Sequence, residues 1–78
     1  ADRVRGHVLS IKAAGGNLLV LGTPPGEAPG VALALDRMGL EGVVGTLAGD
    51  DTIFVAADGA AGQAAAVRAL ERLLAEGE

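Results

Sequence analysis

The chain contains no cysteine, no tryptophan and no tyrosine, and Phe54 is its single aromatic residue. The absence of cysteine excludes disulfide bonds, and one histidine with scattered carboxylates does not predict a zinc site. No apolar run approaches the roughly 20 residues that a membrane-spanning helix needs. A domain of 78 residues without disulfide or metal needs another source of stability, so we expect it to form oligomers.

Positive charge is also scarce, since 6 lysine and arginine residues stand against 10 aspartate and glutamate residues, for a net charge of −4. Such a surface does not favour contact with nucleic acid. No secretory signal is visible, and we expect a cytoplasmic protein that contacts no membrane. Because the chain starts without methionine and almost directly on a predicted strand, we also expect it to be a piece of a longer protein.

No combination of residues predicts an enzyme. His7 and Ser10 are single examples of their residue types, and no third group completes a catalytic triad with them. The abundant glycines predict no phosphate-binding loop, because no Gly-rich stretch is followed by Lys-Ser or Lys-Thr at the required spacing. We therefore predict no catalytic residue, no metal and no cofactor.

The first half of the chain predicts two strands and a helix. Residues 3–12 indicate a strand, residues 13–17 a flexible connection, and the apolar run 18–21 a second strand covered on both faces, in part by another subunit. Two prolines end this strand, and residues 30–38 predict a helix that ends at Gly39. This helix is apolar on nearly every side, so it too is expected to contact a partner.

The second half repeats this order. Residues 43–48 and 52–57 predict strands, residues 58–62 a break, and residues 63–76 an amphipathic helix. The apolar stripe of that helix contains Val67, Leu70 and Leu74. The order strand-strand-helix-strand-strand-helix predicts an α+β fold, a two-layer sandwich with an antiparallel sheet.

Two adjacent carboxylates, Asp50 and Asp51, lie in the turn between the last two predicted strands. The segment Ala48-Gly49-Asp50-Asp51 is typical of a tight hairpin turn, because Gly and Asp tolerate the positive φ that such turns use. Adjacent carboxylates can also bind a cation, and the planar guanidinium group matches a carboxylate best. The residues alone leave both interpretations open, a plain turn and a cation site.

The segment Gly45-Thr46-Leu47-Ala48-Gly49-Asp50-Asp51-Thr52-Ile53 resembles the signature of the C-terminal domain of bacterial arginine repressors. Two upstream segments, Pro25-Gly26-Glu27-Ala28 and Ala34-Leu35-Asp36-Arg37, lie where that family begins and ends a helix. The resemblance implies that residues 1–78 form the arginine-binding and oligomerisation domain of a regulator of arginine metabolism genes. It also implies a winged helix-turn-helix DNA-binding domain on the N-terminal side, which is absent from this chain.

The resemblance further implies the ligand and the assembly. L-arginine would act as corepressor, bound where two trimers face each other in a hexamer, and DNA would be contacted only through the missing N-terminal domain. Asp50 and Asp51 would hold the guanidinium and α-ammonium groups of arginine. The other implied contact residues are Thr46, Ala48 (through its backbone), Asp36, Ala28 and Pro29.

Pro29 departs from the family pattern, in which Gln or His at this position contacts the ligand. Proline has no side-chain donor and no amide hydrogen, so this contact is lost, weakened or rerouted through a neighbouring backbone group.

Two alternatives therefore stay open. One is an oligomerisation module that binds no ligand, in which Asp50 and Asp51 form only a turn. The other is a small enzyme of the pterin-dehydratase-like architecture, which would need several histidines around a pocket, whereas this chain has one.

Overall fold

The computed structural model describes residues 3–76 and contains one four-stranded antiparallel sheet and two helices. In chain order the elements are β1 (Ser10–Ala14), β2 (Leu18–Gly22), α1 (Ala28–Met38), β3 (Val43–Ala48), β4 (Thr52–Ala57) and α2 (Gly59–Ala75). The strand order in the sheet is β1-β2-β4-β3, and each neighbouring pair is antiparallel. The predicted α+β fold and its order of elements are confirmed.

Alternation along the two central strands determines which face of the sheet the helices cover. Leu19 and Leu21 of β2 are fully buried and pair with Val55 and Ile53 of β4. These four residues form one core with the buried apolar residues of both helices. Because successive side chains of a strand point to opposite faces, the intervening residues lie on the other face of the sheet, which no helix covers.

This uncovered face is rich in apolar side chains. Leu47 of β3 pairs with Phe54 of β4, which in turn pairs with Val20 of β2. Leu47 is 72% exposed and Phe54 is 48% exposed. Contiguous apolar surface of this kind marks an interaction site. We call Val20, Leu47 and Phe54 the apolar sheet face.

β1 begins later than the sequence predicts. Residues 3–7 form turns, in which Gly6 has a φ of 82° and the N–H of His7 donates to the carbonyl oxygen of Val4 at 3.0 Å. Val4 is fully buried in the core. The prediction of a strand from residue 3 is therefore wrong, because this segment folds back to bury one valine instead of extending the sheet.

The helix α1 follows the signals that predict it. Pro29 lies in its first turn, and Gly39 ends it in the left-handed conformation, with φ 61° and ψ 49°. The buried residues of α1 lie on one side, whereas Leu33 on the opposite side is 51% exposed. α1 therefore covers the sheet with one face and leaves apolar surface on its outer face.

The helix α2 begins at Gly59, whereas the sequence predicts a break until residue 62. Gly62 is buried within the helix, where an added Cβ would lie 3.1 Å from the carbonyl oxygen of Gly42. The N–H of Asp58 donates to the same oxygen at 2.9 Å. The glycine at residue 62 thus permits a close approach between α2 and the loop before β3, and it does not interrupt the helix. The large buried residues of α2 are Leu70 and Leu73, while Val67 and Leu74 are partly buried.

Replacing Gly42 by alanine should destabilise the fold by about 2–4 kcal/mol. Gly42 has a φ of 83°, and a Cβ there would overlap the backbone carbonyl of Gly62, so strain and a clash both oppose the change. Gly16→Ala is the control, because a Cβ at Gly16 meets nothing within 4 Å and its φ is not positive. Urea unfolding at one fixed protein concentration measures both variants. Equal midpoints would contradict the close approach.

Candidate functional site

The tip of the hairpin between β3 and β4 consists of Asp50 and Asp51, and both residues are exposed. The N–H of Gly49 donates to the carbonyl oxygen of Thr52 at 2.8 Å, which closes the hairpin. None of these four residues has a positive φ. The expectation that the turn uses left-handed backbone conformations is therefore wrong, and contacts from outside the hairpin hold it instead.

Those contacts come from residues 23–28, which we call the supporting segment. The N–H of Thr23 donates to the carbonyl oxygen of Asp51 at 2.9 Å, and that of Ala28 to the carbonyl oxygen of Asp50 at 3.1 Å. The N–H of Gly26 donates to Oδ2 of Asp50 at 3.2 Å. This last bond fixes the orientation of the Asp50 carboxylate and leaves Oδ1 available to a ligand.

The second carboxylate, Asp51, has only a local partner. Its Oδ1 accepts a hydrogen bond of 3.0 Å from Oγ1 of Thr52. Among residues 3–76, no lysine, arginine or histidine forms an ion pair with Asp50 or Asp51. Two adjacent carboxylates without a cationic partner create a region of negative potential, which attracts a cationic ligand.

Asp36 of α1 and Thr46 of β3 come together farther from the tip. Oγ1 of Thr46 donates to Oδ1 of Asp36 at 2.8 Å. Thr46 pairs with the buried Val55, which places it on the helix-covered side of the sheet, where α1 lies. Since Ala28 bonds to the tip and Asp36 bonds to Thr46, α1 runs along β3. The carboxylate of Asp50 lies at one end of this path and that of Asp36 near the other.

The remaining predicted residues lie beside these. Pro29 is exposed in the first turn of α1, directly after Ala28. Ala48 ends β3 before the tip and pairs with Ile53. The seven predicted site residues therefore lie along one border between α1, β3 and the tip. Their contact with a ligand stays a prediction.

Sequence reasoning missed the supporting amides of Thr23 and Gly26. Their contribution comes from the backbone, which has no residue-specific signal in the sequence. The proline-glycine composition of the segment indicates only that a strand ends there.

A cavity of about 430 Å³ lies away from the acidic tip, along the outer face of α1. Its lining residues are Arg3, Gly30, Leu33, Ala34, Arg37 and Met38. None of the predicted ligand contacts lines it, and it offers no carboxylate to a cation. The candidate site is therefore the exposed border at the tip, outside this cavity.

Other classes of site find no support in the described part of the chain. Within residues 3–76 no three side chains that commonly bind metals come together. No helix in that range has the length and hydropathy to span a membrane.

Comparison with known proteins identifies the family. The family described as "Arginine repressor, C-terminal domain" matches residues 4–72. The arginine repressors of Thermotoga petrophila and Thermotoga maritima are each 61% identical to this chain over 41 residues, which is 53% of this chain and 27% of their own length. The arginine repressor of Anaeromyxobacter sp. (strain Fw109-5) is 52% identical over 56 residues, which is 72% of this chain and 35% of its own length.

The chain therefore spans 27–35% of the length of these relatives. Its fold, a four-stranded antiparallel sheet with two helices, agrees with the matched domain. The match extends over the acidic tip, α1 and most of α2. This chain belongs to the arginine repressor family, in which it corresponds to the C-terminal domain.

Proposed function

We propose that this domain is the L-arginine-sensing and oligomerisation core of a cytoplasmic transcriptional regulator of arginine metabolism. The observation that carries the proposal is the acidic tip. Asp50 and Asp51 are exposed and adjacent, have no ion-pair partner among residues 3–76, and are held by amides of the supporting segment. In this proposal DNA is bound by a separate N-terminal domain.

The chemistry of L-arginine matches these groups. A guanidinium ion donates two parallel hydrogen bonds to a carboxylate, and Asp50 presents such a carboxylate already oriented by Gly26. The α-ammonium group needs acceptors, which Asp51, Asp36 and the backbone of Ala48 supply along the same border. Pro29 has no N–H, so the α-carboxylate takes its donor from a neighbouring backbone amide, and Gly30 is the next one along α1.

The assembly that we propose is a trimer that pairs into a hexamer, with arginine between the trimers. The apolar sheet face supports association, because Leu47 and Phe54 expose apolar surface that a partner can remove from water. The exposed Leu33 on α1 offers a second apolar contact. The sequence predicts α1 and β2 as contact elements but does not predict Leu47 and Phe54, because alternation alone does not tell which face of a strand a helix covers.

A second candidate function is an oligomerisation module that binds no ligand. Pro29 favours it, because a ligand contact typical of the family is missing. The bond from Gly26 to Asp50 is also compatible with a turn whose side chain only caps a backbone amide. The first experiment below distinguishes the two functions.

Asp50→Asn should weaken arginine binding by on the order of 2–4 kcal/mol, because the charged partner of the guanidinium is lost. Asparagine keeps the shape, still accepts from Gly26 and suits a turn, so the fold should survive. Titration calorimetry with L-arginine measures the effect. Asp58→Asn is the matched control, since Asp58 is exposed and forms no side-chain cap bond at α2. If Asp50→Asn binds arginine as tightly as this control, Asp50 is only a turn residue and the proposed contact is wrong. If neither the parent protein nor the control binds arginine, the ligand-free module is the correct function.

Leu47→Glu should reduce the oligomer to smaller species, because it places a charge at the most exposed residue of the apolar sheet face. Sedimentation equilibrium at micromolar concentration should show trimers or larger for the parent protein. Ala64→Glu introduces the same charge at an exposed position of α2 and should leave the mass unchanged. A monomeric parent protein, or a Leu47→Glu variant of unchanged mass, would contradict an interface on this face.

Arginine should also shift trimers toward hexamers, since a ligand bound between trimers binds the hexamer better and mass action then favours the hexamer. Without ligand, acidic tips that face each other repel, and a guanidinium relieves this repulsion. L-citrulline has nearly the same shape and a neutral head, so it should not produce the shift. Light scattering at fixed ionic strength measures both ligands. Equal effects of arginine and citrulline would exclude charge bridging.

A further inference from the structure

The turn formed by residues 3–7 contacts the supporting segment through a side-chain hydrogen bond. Nδ1 of His7 and Oε1 of Glu27 form this bond. Because a carboxylate only accepts, the ring nitrogen is the donor. The two side chains are 40% and 36% exposed, so the contact lies at the surface and its energy is reduced by solvent.

Glu27 lies between the two residues that bind Asp50. The N–H of Gly26 donates to the carboxylate of Asp50, and the N–H of Ala28 donates to the backbone carbonyl oxygen of Asp50. The backbone of Glu27 forms the N-cap of α1, where its carbonyl oxygen accepts from the N–H of Val31 at 3.1 Å. Its side chain forms no cap bond to the helix and contacts His7 instead. The side chain thus fixes the supporting segment from outside α1.

The other side of the contact is anchored in the core. The N–H of His7 bonds to the carbonyl oxygen of Val4, and the Val4 side chain is fully buried. Two residues later, the N–H of Leu9 donates to the carbonyl oxygen of Gly22 at 2.7 Å. Gly22 immediately precedes Thr23, whose N–H bonds to the tip. The N-terminal turn therefore contacts the supporting segment at Glu27, and the residues that follow the turn bond to Gly22, directly before that segment.

We propose that His7 and Glu27 are positioning residues for the arginine site. Their hydrogen bond holds the supporting segment, and the amides of that segment orient Asp50. Arginine affinity then depends on the conformation of residues 3–7, and by linkage bound arginine stabilises this turn. The inference rests on the proposed function, which places a DNA-binding domain on the same N-terminal side.

A double-mutant cycle with His7→Ala and Glu27→Ala tests the inference. Each single variant should weaken L-arginine binding about 2- to 5-fold, the range expected for loss of an exposed pair. The double variant should be no weaker than the single ones, because the two residues act through one contact. His7→Gln keeps a side-chain donor and should recover most of the affinity. Glu41→Ala is the matched control, since Glu41 is exposed and lies outside the site.

Calorimetry and thermal unfolding are measured on the same samples at one protein concentration. A contact that serves the fold alone would lower the melting temperature and leave the arginine Kd unchanged, which would overturn the inference. If the double variant weakened arginine binding by the product of the two single-variant factors, the two residues would act independently, which would also overturn the inference. If the parent protein binds no arginine, the proposed function fails and this inference fails with it. Parent-like affinity in every variant overturns only the inference.

Amide hydrogen exchange gives a readout that needs no ligand. In the His7→Ala variant the amides of Gly26 and Ala28 should exchange faster, because the supporting segment opens more often. The exchange rate of the Val55 amide should be unaffected, because Val55 pairs with Leu19 in the centre of the sheet and lies far from the contact between His7 and Glu27. Unchanged protection at Gly26 and Ala28 would overturn the positioning role.

Discussion

The hydrogen bonds that Asp50 receives from Gly26 and Ala28 are the interaction on which the candidate site depends. They join the start of α1 to the tip between β3 and β4, so helix and hairpin cannot shift independently. The same bonds set where α1 lies along β3, which brings Asp36 to Thr46. The carboxylate of α1 and the two carboxylates of the tip thereby lie on one surface. The rigidity matters because a charge that is already oriented loses less entropy when it binds a ligand.

A two-layer domain of this size leaves part of its apolar surface uncovered. Both helices lie on one face of the sheet, and α2 packs there largely through alanines, whose side chains bury little area each. Leu19, Leu21 and Ile53 form the centre of the core, while Leu47 and Phe54 on the opposite face remain exposed. The core of this domain is thus small, and apolar residues that it does not contain stay exposed. Association removes them from water and is therefore favourable.

Much of the fold could be predicted from the sequence, because local signals determine it. The bounds of β3 and β4 follow from apolar runs around the Gly-Asp-Asp turn, and the end of α1 follows from Gly39. Contacts between distant residues determine what could not be predicted. Gly62 allows α2 to approach Gly42, where the sequence alone indicates a break. The carboxylates of the candidate site could be named in advance, whereas the backbone donor that orients Asp50 could not.

In the proposed site, Pro29 removes one ligand contact and leaves the charge-based part of the site in place. In the first turn of α1, the N–H of Ala28 is already bonded to the tip, and Pro29 has none. The helix therefore offers its first available donor one residue later, at Gly30. The negative charge of the acidic tip does not depend on these backbone N–H groups. In the proposed site, recognition of the guanidinium group is thus separate from recognition of the α-carboxylate, and the proline alters only the second.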